Sequence, residues 1–429
     1  MIPEIEKAKP EIIKAFQEEK LRETISYVFE RSPFYQKLFA EDAIKPQDIQ
    51  TLEDLKKIPV TTKTDLQRHN DDFICVPNSQ LIDYVTTSGT LGDPVTFALT
   101  DKDLDRLAYN EAVSLACSGV ESSHVLQLMT TMDRRFMAGL AYFMGARKLG
   151  AGIIRVGAGV PELQWDSILK FKPDYLISVP SFLLKLIDYA KTNGIELENV
   201  SVKGVICIGE PVRNEDFSLN TLAQKITSQW PIQLYSTYAS TEMNTAFAEC
   251  NAQQGGHHHP ELIIVELLDE NNQEVPENEV GELTVTTLGL EGMPLLRFKT
   301  GDMVRAHKEP CSCGRNTLRL GPVVGRKNHM IKYKGTTLYP QAIYNALNGF
   351  EEIKNYQIEI SSNALGIDEI LVRVATEIRS EELLVSIKDH IRAKLRVTPK
   401  LEFIDASTLL KLQFPEGQRK PVMLVYKEG

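Results

Sequence analysis

The sequence predicts an α/β protein with a large N-terminal domain and a small α+β domain behind it. Three observations carry that expectation. From His124 to about Ser236, short β-rich runs alternate with helical stretches, the order of a doubly wound sheet covered by helices. From about residue 243 to 325 the chain reads as hairpin-like β segments, and beyond Gly325 strands and helices mix. The expected domains are therefore 1–325, with its β-rich part at about 243–325, and 326–429.

Taken in order, Ile12, Phe16, Ile25 and Phe29 recur at helical spacing with charges between them, so Glu11 to Ala40 reads as amphipathic helix. A Pro followed by T-x-x-D, Thr62 to Asp65, reads as a capped helix start. The alternating region is SHVLQLMT, RRFMAGLAYFMGARKLG, AGIIRVG, PDYLISV, SFLLKLIDYAKTNG, VKGVICIG, a polar helix over about 214–230, and PIQLYS. The hairpin-like part follows as ELIIVELLD, GELTVTTL, LLRFKTGDMVRA and LRLGPVVG. The last part holds two β runs around 330–338, a helix near Gln341, strands at NYQIEI and EILVRVAT, a helix over 379–395, and KLEFID.

Composition narrows the function. The 429 residues carry 58 acidic against 48 basic side chains, a formal charge of −10, which argues against general nucleic-acid binding. No apolar run approaches the ~20 residues that span a bilayer, and the N-terminus lacks the order of a signal peptide, so a cytoplasmic protein without membrane association is expected. Six cysteines, Cys75, Cys117, Cys207, Cys250, Cys311 and Cys313, are too few for a disulfide framework, and close pairs in a reducing compartment more often serve a metal. Only Cys311 and Cys313 form such a pair.

Chemistry is expected at strand ends, where doubly wound sheets bind ligands. The run Thr86-Thr87-Ser88-Gly89-Thr90-Leu91-Gly92-Asp93-Pro94 offers converging backbone N–H groups and hydroxyls to a phosphate; an ordinary hairpin turn has the same composition. Tyr235 to Glu242 ends another strand, where a Tyr offers a flat face to a purine and Thr241 and Glu242 offer oxygen to phosphate and to a hard cation. A strand-to-helix connection with a capping Thr reads identically. Gly209-Glu210-Pro211 occupies an equivalent strand end.

Together with Thr300-Gly301-Asp302 and Gly325-Arg326, these pieces resemble the adenylate-forming acyl-CoA synthetases, and among them the phenylacetate-CoA ligase family. Nine segments stand in that family's order: ERSPFYQKLF, the Ser/Thr/Gly loop, MAGLAYFMGARKLGAGIIRVGAG, VPSFLLKL, GEP, Y-A-S-T-E, T-G-D, C-x-C-G-R and GRKNHMIKYKGTTLYP. The resemblance implies a ligase that uses ATP, Mg and CoA. It first joins a carboxylic acid, aryl and phenylacetate-like, to AMP with release of pyrophosphate, then passes the acyl group to CoA.

The resemblance also implies roles. Thr87, Ser88, Gly89, Thr90 and Gly92 would hold ATP phosphates, and Gly209, Glu210, Pro211, Tyr238 and Ala239 would surround the adenine. Thr241 would meet the α-phosphate, Glu242 would hold Mg, and Asp302 would grip the ribose hydroxyls with Arg326. The C-terminal domain would turn about a hinge at Lys327 to Asn328. The relatives' E-C-x6-H and C-x-C-G-R segments imply a structural Zn held by Cys250, His257, Cys311 and Cys313, with His259 as the alternative imidazole. Relatives often dimerise; nothing in the patterning speaks to it here.

Departures from the family pattern are concrete. Its G-T-T-G-K-P loop becomes G-T-L-G-D-P, so Leu91 removes a hydroxyl and Asp93 replaces a cation. Ala239 and Asn328 stand where Gly and an acid are usual. The C-terminal Gly-Lys becomes Gly417-Gln418, and a neutral amide cannot supply the ammonium; Lys420, or Lys411, is the expected substitute. The acyl-side segment, 132–139, carries Asp133, Arg134 and Arg135, and an Arg pointing inward would call for a second polar or anionic group on the acid. The altered loop and missing lysine also leave room for delivery to a carrier protein or an amine, or for a nucleotide-binding homologue without turnover.

Overall fold

The computed structural model describes residues 2–87, 95–329, 331–333, 336–362, 368–395, 397–415 and 421–427. The chain divides into two compact units, Met1–Val323 and Val324–Gly429.

The first unit opens with two helices where the sequence predicts one. Pro10–Arg31 stops at Ser32, and Pro33–Glu41 begins at once. Proline lacks an N–H and pushes the residue before it out of the helical region; Ser32 is extended, and its hydroxyl accepts from the Tyr35 N–H. The inward stripe is Leu21, Ile25 and Val28, whereas Ile12 and Phe29 of the expected stripe are exposed. Thr62 starts the helix Lys63–Arg68 with a capping box closed by Asp65.

The strands, in chain order, are β1 Leu81–Thr86, β2 Thr96–Thr100, β3 Val125–Leu128, β4 Gly152–Arg155, β5 Tyr175–Ser178, β6 Gly204–Cys207, β7 Gln233–Ser240, β8 Thr245–Glu249, β9 Gly256–His257, β10 Ile263–Leu268, β11 Val280–Thr287, β12 Phe298–His307 and β13 Arg319–Leu320. β1 and β2 form an antiparallel pair whose connection is the Ser/Thr/Gly run. β4-β3-β5-β6-β7 lie in that order with parallel pairing.

Both faces of this parallel part are buried, and side-chain alternation shows why. Leu176, Val205 and Leu234 face one core with Trp165, Leu183, Leu186 and Ile226. Their neighbours Ile177, Ile206 and Tyr235 face another with Leu115, Tyr142 and Ala146. Helices Pro161–Phe171, Pro180–Thr192 and Thr221–Thr227 therefore cover one face, and Asp101–Cys117 and Met137–Leu149 the other. The connections after β3 leave in opposite directions, to β4 on one side and to β5 beyond it on the other, a topological switch point.

The β-rich part is hydrogen-bonded into the same sheet. β7 outlasts β6 and pairs with β8 antiparallel, and the path continues through β9, β13, β12, β11 and β10. The expected polar helix over 214–230 shrinks to Thr221–Thr227. Asn214 and Asp216 bond locally to Ser218, and Asn220 caps the short helix, the local competition that keeps such residues out of helices.

The second unit holds a four-stranded sheet in the order Lys400–Ile404, Asp368–Thr376, Ile353–Ser362, Leu424–Lys427. Ile343 and Leu347 of helix Pro340–Leu347 and Ile387 and Ile391 of helix Glu381–Leu395 share a core with Ile358, Ile360, Val372 and Val374 of the sheet. Helix Ala406–Gln413 and strand Leu424–Lys427 lie beyond what the sequence pattern predicts. Among the described residues no helix is long and apolar enough to cross a membrane.

Candidate functional site

Three of the expected segments sit where β6, β7 and β12 deliver them. β6 ends at Cys207, and Gly209 turns the chain with φ +75°, a left-handed conformation that favours glycine. The space where a Cβ of Gly209 would stand is open, and the same holds at Gly301, φ +79°. Glu210 is occupied close by: its carboxylate accepts from the Ser181 N–H and hydroxyl, both at 2.8 Å, at the N-terminus of helix Pro180–Thr192, where an anion is favoured. The backbone of Gly209 to Pro211 is thus the part left to face a ligand.

On β7, Tyr238 lies two residues past the last parallel pair with β6, Cys207 with Ser236. Its hydroxyl donates to Asp302 Oδ2 at 2.8 Å, joining strand-end and T-G-D segments that are 64 residues apart in sequence. Asp302 is 8% exposed, and Thr300 Oγ1 accepts from its N–H. Ala239 is exposed, and Thr241 and Glu242 are half-buried in the turn that follows β7.

Thr87 is buried and closes the base of the phosphate-loop candidate: its N–H donates to the Val95 carbonyl at 3.0 Å, and its hydroxyl accepts from the Val95 N–H at 3.1 Å. Ser88, Gly89, Thr90, Gly92 and Lys420 lie outside the described residues. Arg326, in the short strand Gly325–Arg326, belongs to the second unit and is exposed there.

The sequence reading missed a buried ion pair behind these segments. Arg213, four residues past Gly209, meets Glu249, the last residue of β8, with Nε to Oε1 at 3.2 Å; their side chains are 5% and 1% exposed. Arg213 also donates to the Leu234 carbonyl at 2.9 Å, and Glu249 accepts from the Ser236 N–H at 2.9 Å. Burial raises the Glu249 carboxyl, against the pull of Arg213 and the backbone donors.

A second cluster begins one residue later. Ligand atoms of Cys250, His257, Cys311 and Cys313 all lie within 4.8 Å of one another. Cys250 Sγ is 3.6 Å from Cys311 Sγ, and Cys313 Sγ is 3.4 Å from His257 Nε2. With Zn–S about 2.3 Å and Zn–N about 2.0 Å, the edges of a tetrahedral site come to roughly 3.8 Å for S···S and 3.5 Å for S···N, so the donor set fits Zn in spacing and in chemistry. His257 Nδ1 lies 3.1 Å from Thr317 Oγ1, the outer partner that directs Nε2 to a metal. Gly314, at φ +91°, turns the knuckle so that the Cys311 carbonyl accepts from its N–H. Burial would raise the Cys313 thiol, but hydrogen bonds from His257 and Arg315 outweigh it and hold it at about 5.

The adjoining imidazoles are spoken for. His258 meets the Ile263 carbonyl, and His259 pairs with Glu6, which also takes Arg315. Glu6, His259 and Glu261 could also group around a cation, but Glu6 is already engaged by His259 and Arg315.

The acyl-side segment follows β3 at the switch point. The Thr86 N–H donates to the Arg135 carbonyl at 3.0 Å, tying it to the base of the phosphate-loop candidate. Helix Met137–Leu149 packs so closely on the preceding turn that a Cβ at Gly139 would stand 1.9 Å from the Thr131 carbonyl oxygen. Arg134 and Arg135, both left-handed at φ 60°, expose their side chains, and Arg134 pairs with Asp133.

The family model for AMP-binding enzymes matches residues 4–291, and a phenylacetate-coenzyme A ligase of Thermus thermophilus is 31% identical over 97% of this chain and 95% of its own. The chain belongs to the AMP-binding enzymes, on their phenylacetate-CoA ligase branch. A second such ligase, from Escherichia coli, is 28% identical over 86% of this chain and 84% of its own. In fold, this AMP-binding enzyme is similar to a 2-hydroxyisobutyryl-CoA ligase solved in the postadenylation state with R3-HIB-AMP: TM-score 0.82 at 23% identity, over 99% of this chain and 92% of that one. It is an enzyme of the AMP-forming acyl-CoA ligase family.

Proposed function

We propose that this enzyme adenylates an aryl, phenylacetate-like carboxylic acid with ATP and transfers the acyl group to CoA, releasing pyrophosphate and AMP. The observation that carries the nucleotide site is the Tyr238–Asp302 hydrogen bond, because it brings two distant segments to one place beside the open turn at Gly209. The family's ligases of phenylacetate support the acid.

In this reading the backbone of Gly209, Glu210 and Pro211, with Tyr238 and Ala239, receives the adenine. Asp302, oriented by Tyr238, accepts from the ribose hydroxyls, to which Arg326 offers its planar fork. Thr87, Ser88, Gly89, Thr90 and Gly92 cradle phosphates, and Thr241 donates its hydroxyl to the α-phosphate. Glu242 would hold Mg, a charge that offsets repulsion between the incoming carboxylate and the phosphates. Lys420 supplies the ammonium that Gln418 lacks. Cys250, His257, Cys311 and Cys313 would hold a structural Zn, four protein ligands leaving no open position.

Acid-dependent release of pyrophosphate from Mg-ATP, across aryl and aliphatic acids with and without CoA, tests the proposal. Release with phenylacetate and thioester formation on adding CoA are expected. Release that yields thioester only on a carrier protein's pantetheine would replace the acceptor. Nucleotide binding without release for any acid would replace the ligase by a homologue that has lost turnover.

A further inference from the structure

We propose that the buried Arg213–Glu249 pair is the positioning element of the nucleotide site, fixing the Gly209–Pro211 turn and the Tyr235–Tyr238 stretch of β7 against each other. The inference rests on the nucleotide reading above.

The argument starts at a fork in the sheet. The ladder between β7 and β8 runs from Ser240 opposite Thr245 to Thr237 opposite Ala248. Beyond it, side chains take over on β7: Glu249 receives the Ser236 N–H and Arg213 donates to the Leu234 carbonyl. On the other edge β6 ends opposite Ser236, and its chain turns away at Gly209. The segments expected to receive adenine therefore diverge here, and no continuous strand ladder holds one against the other. The guanidinium is the link. It hangs from the turn's own continuation, with Val212 fully buried beside it and Arg213 bridged to Leu219, and it reaches the main chain of β7 directly and again through Glu249.

Energetics points the same way. Removing a guanidinium and a carboxylate from water is costly, and an apolar pair of similar volume is often as stable or more so. A planar fork that holds a carboxylate and a carbonyl in one plane confers orientation more than stability. The distances also differ in kind: the carbonyl and N–H contacts are 2.9 Å, while those between the charges are 3.2 to 3.3 Å. The tightest bonds are those that fix the backbone of β7.

The test uses the full-length protein and needs no acid substrate. AMP and Mg-ATP are titrated calorimetrically, well below the unfolding transition, into wild type, Arg213→Met, Arg213→Lys and Glu249→Gln, with bound metal and Tm measured for each. Wild type is expected to bind both nucleotides. Arg213→Met should weaken both by tenfold or more at unchanged metal content, and Arg213→Lys, which keeps the charge but loses the fork, should recover part of the loss. A purely structural pair would lower Tm in Arg213→Met and leave its dissociation constants at wild-type values, and that result overturns the proposal. If Arg213→Met does not fold, Arg213→Lys and Glu249→Gln decide: threefold or greater weakening supports positioning, and wild-type affinity in both removes it. Wild type that binds neither nucleotide would sink the nucleotide reading itself, a failure distinct from equal binding by wild type and variants.

Discussion

Glu249 and Cys250 are consecutive residues that enter two regions of opposite construction. Glu249 faces the strand-end region, where ions are paired under the surface and space is left open at Gly209 and Gly301. Cys250 faces the thiol cluster, where four side chains from three separate stretches converge within 4.8 Å. In the reading proposed above the first receives a nucleotide; the second turns its donor atoms on one another. The contrast teaches that one strand end can serve both purposes, because Glu249, the last residue of β8, and Cys250 just past it send their side chains to different partners.

Removing the Zn proposed for the thiol cluster should have the largest effect. Cys250→Ser, or extraction by a strong chelator, is expected to abolish a stoichiometry of one Zn per chain and to cost several kcal/mol, read as a fall in Tm of about 5 °C. Metal analysis beside calorimetry checks it, and a metal-free protein of unchanged Tm would erase the distinction between the two regions.

In the open region the effects should be on binding, with the fold intact. Asp302→Ala is expected to reduce kcat/KM for ATP roughly tenfold to 150-fold, the worth of about 1.5–3 kcal/mol for a hydrogen bond to a charged group. Tyr238→Phe removes only the orienting hydroxyl and should cost about 0.5–1.5 kcal/mol, or roughly two- to tenfold. Equal losses in the two variants would show that Tyr238 does more than orient the carboxylate.

An effect confined to the pH dependence of stability sharpens the comparison from behind the cluster. Glu111 is buried near His259, and burial raises its carboxyl from 4.5 to about 7; its Oε2 is buried without a hydrogen-bond partner. A folded-state value above the unfolded one means the native state binds more protons between the two, so stability falls as pH rises from about 4.5 to 7. Glu111→Gln should remove that slope, matching wild type near pH 4.5 and exceeding it above pH 7 by at most about 3 kcal/mol. Chemical unfolding at the two pH values measures it, and parallel curves would refute the assignment.

The α/β character was legible because alternation of β-rich and helical runs is a local property, and each run from SHVLQLMT to PIQLYS carries its own strand or helix. What failed was also local in cause. Pro33 divides one apolar stripe into two helices, and the Asn and Asp side chains of 214–220 satisfy one another in place of a helix. Helix Ala406–Gln413 buries only Leu409 and Gln413, too little apolar surface to leave a period. At the site, the C-x-C-G turn announced itself through residue type. Arg213 and Glu249 did not, since nothing but the fork of the sheet brings together side chains 36 residues apart.

β7 is held in parallel by β6 over its first half, from Gln233 to Ser236, and antiparallel by β8 over its second, from Thr237 to Ser240. Adding or deleting one residue within it would reverse every side chain beyond that point, moving Tyr238 to the other face. Such a change would part the Tyr238 hydroxyl from Asp302. The turn between β3 and helix Met137–Leu149 is held differently, by the bond from the Thr86 N–H to the Arg135 carbonyl and by the close approach at Gly139, so a change of length there would reverse the side chains of no strand.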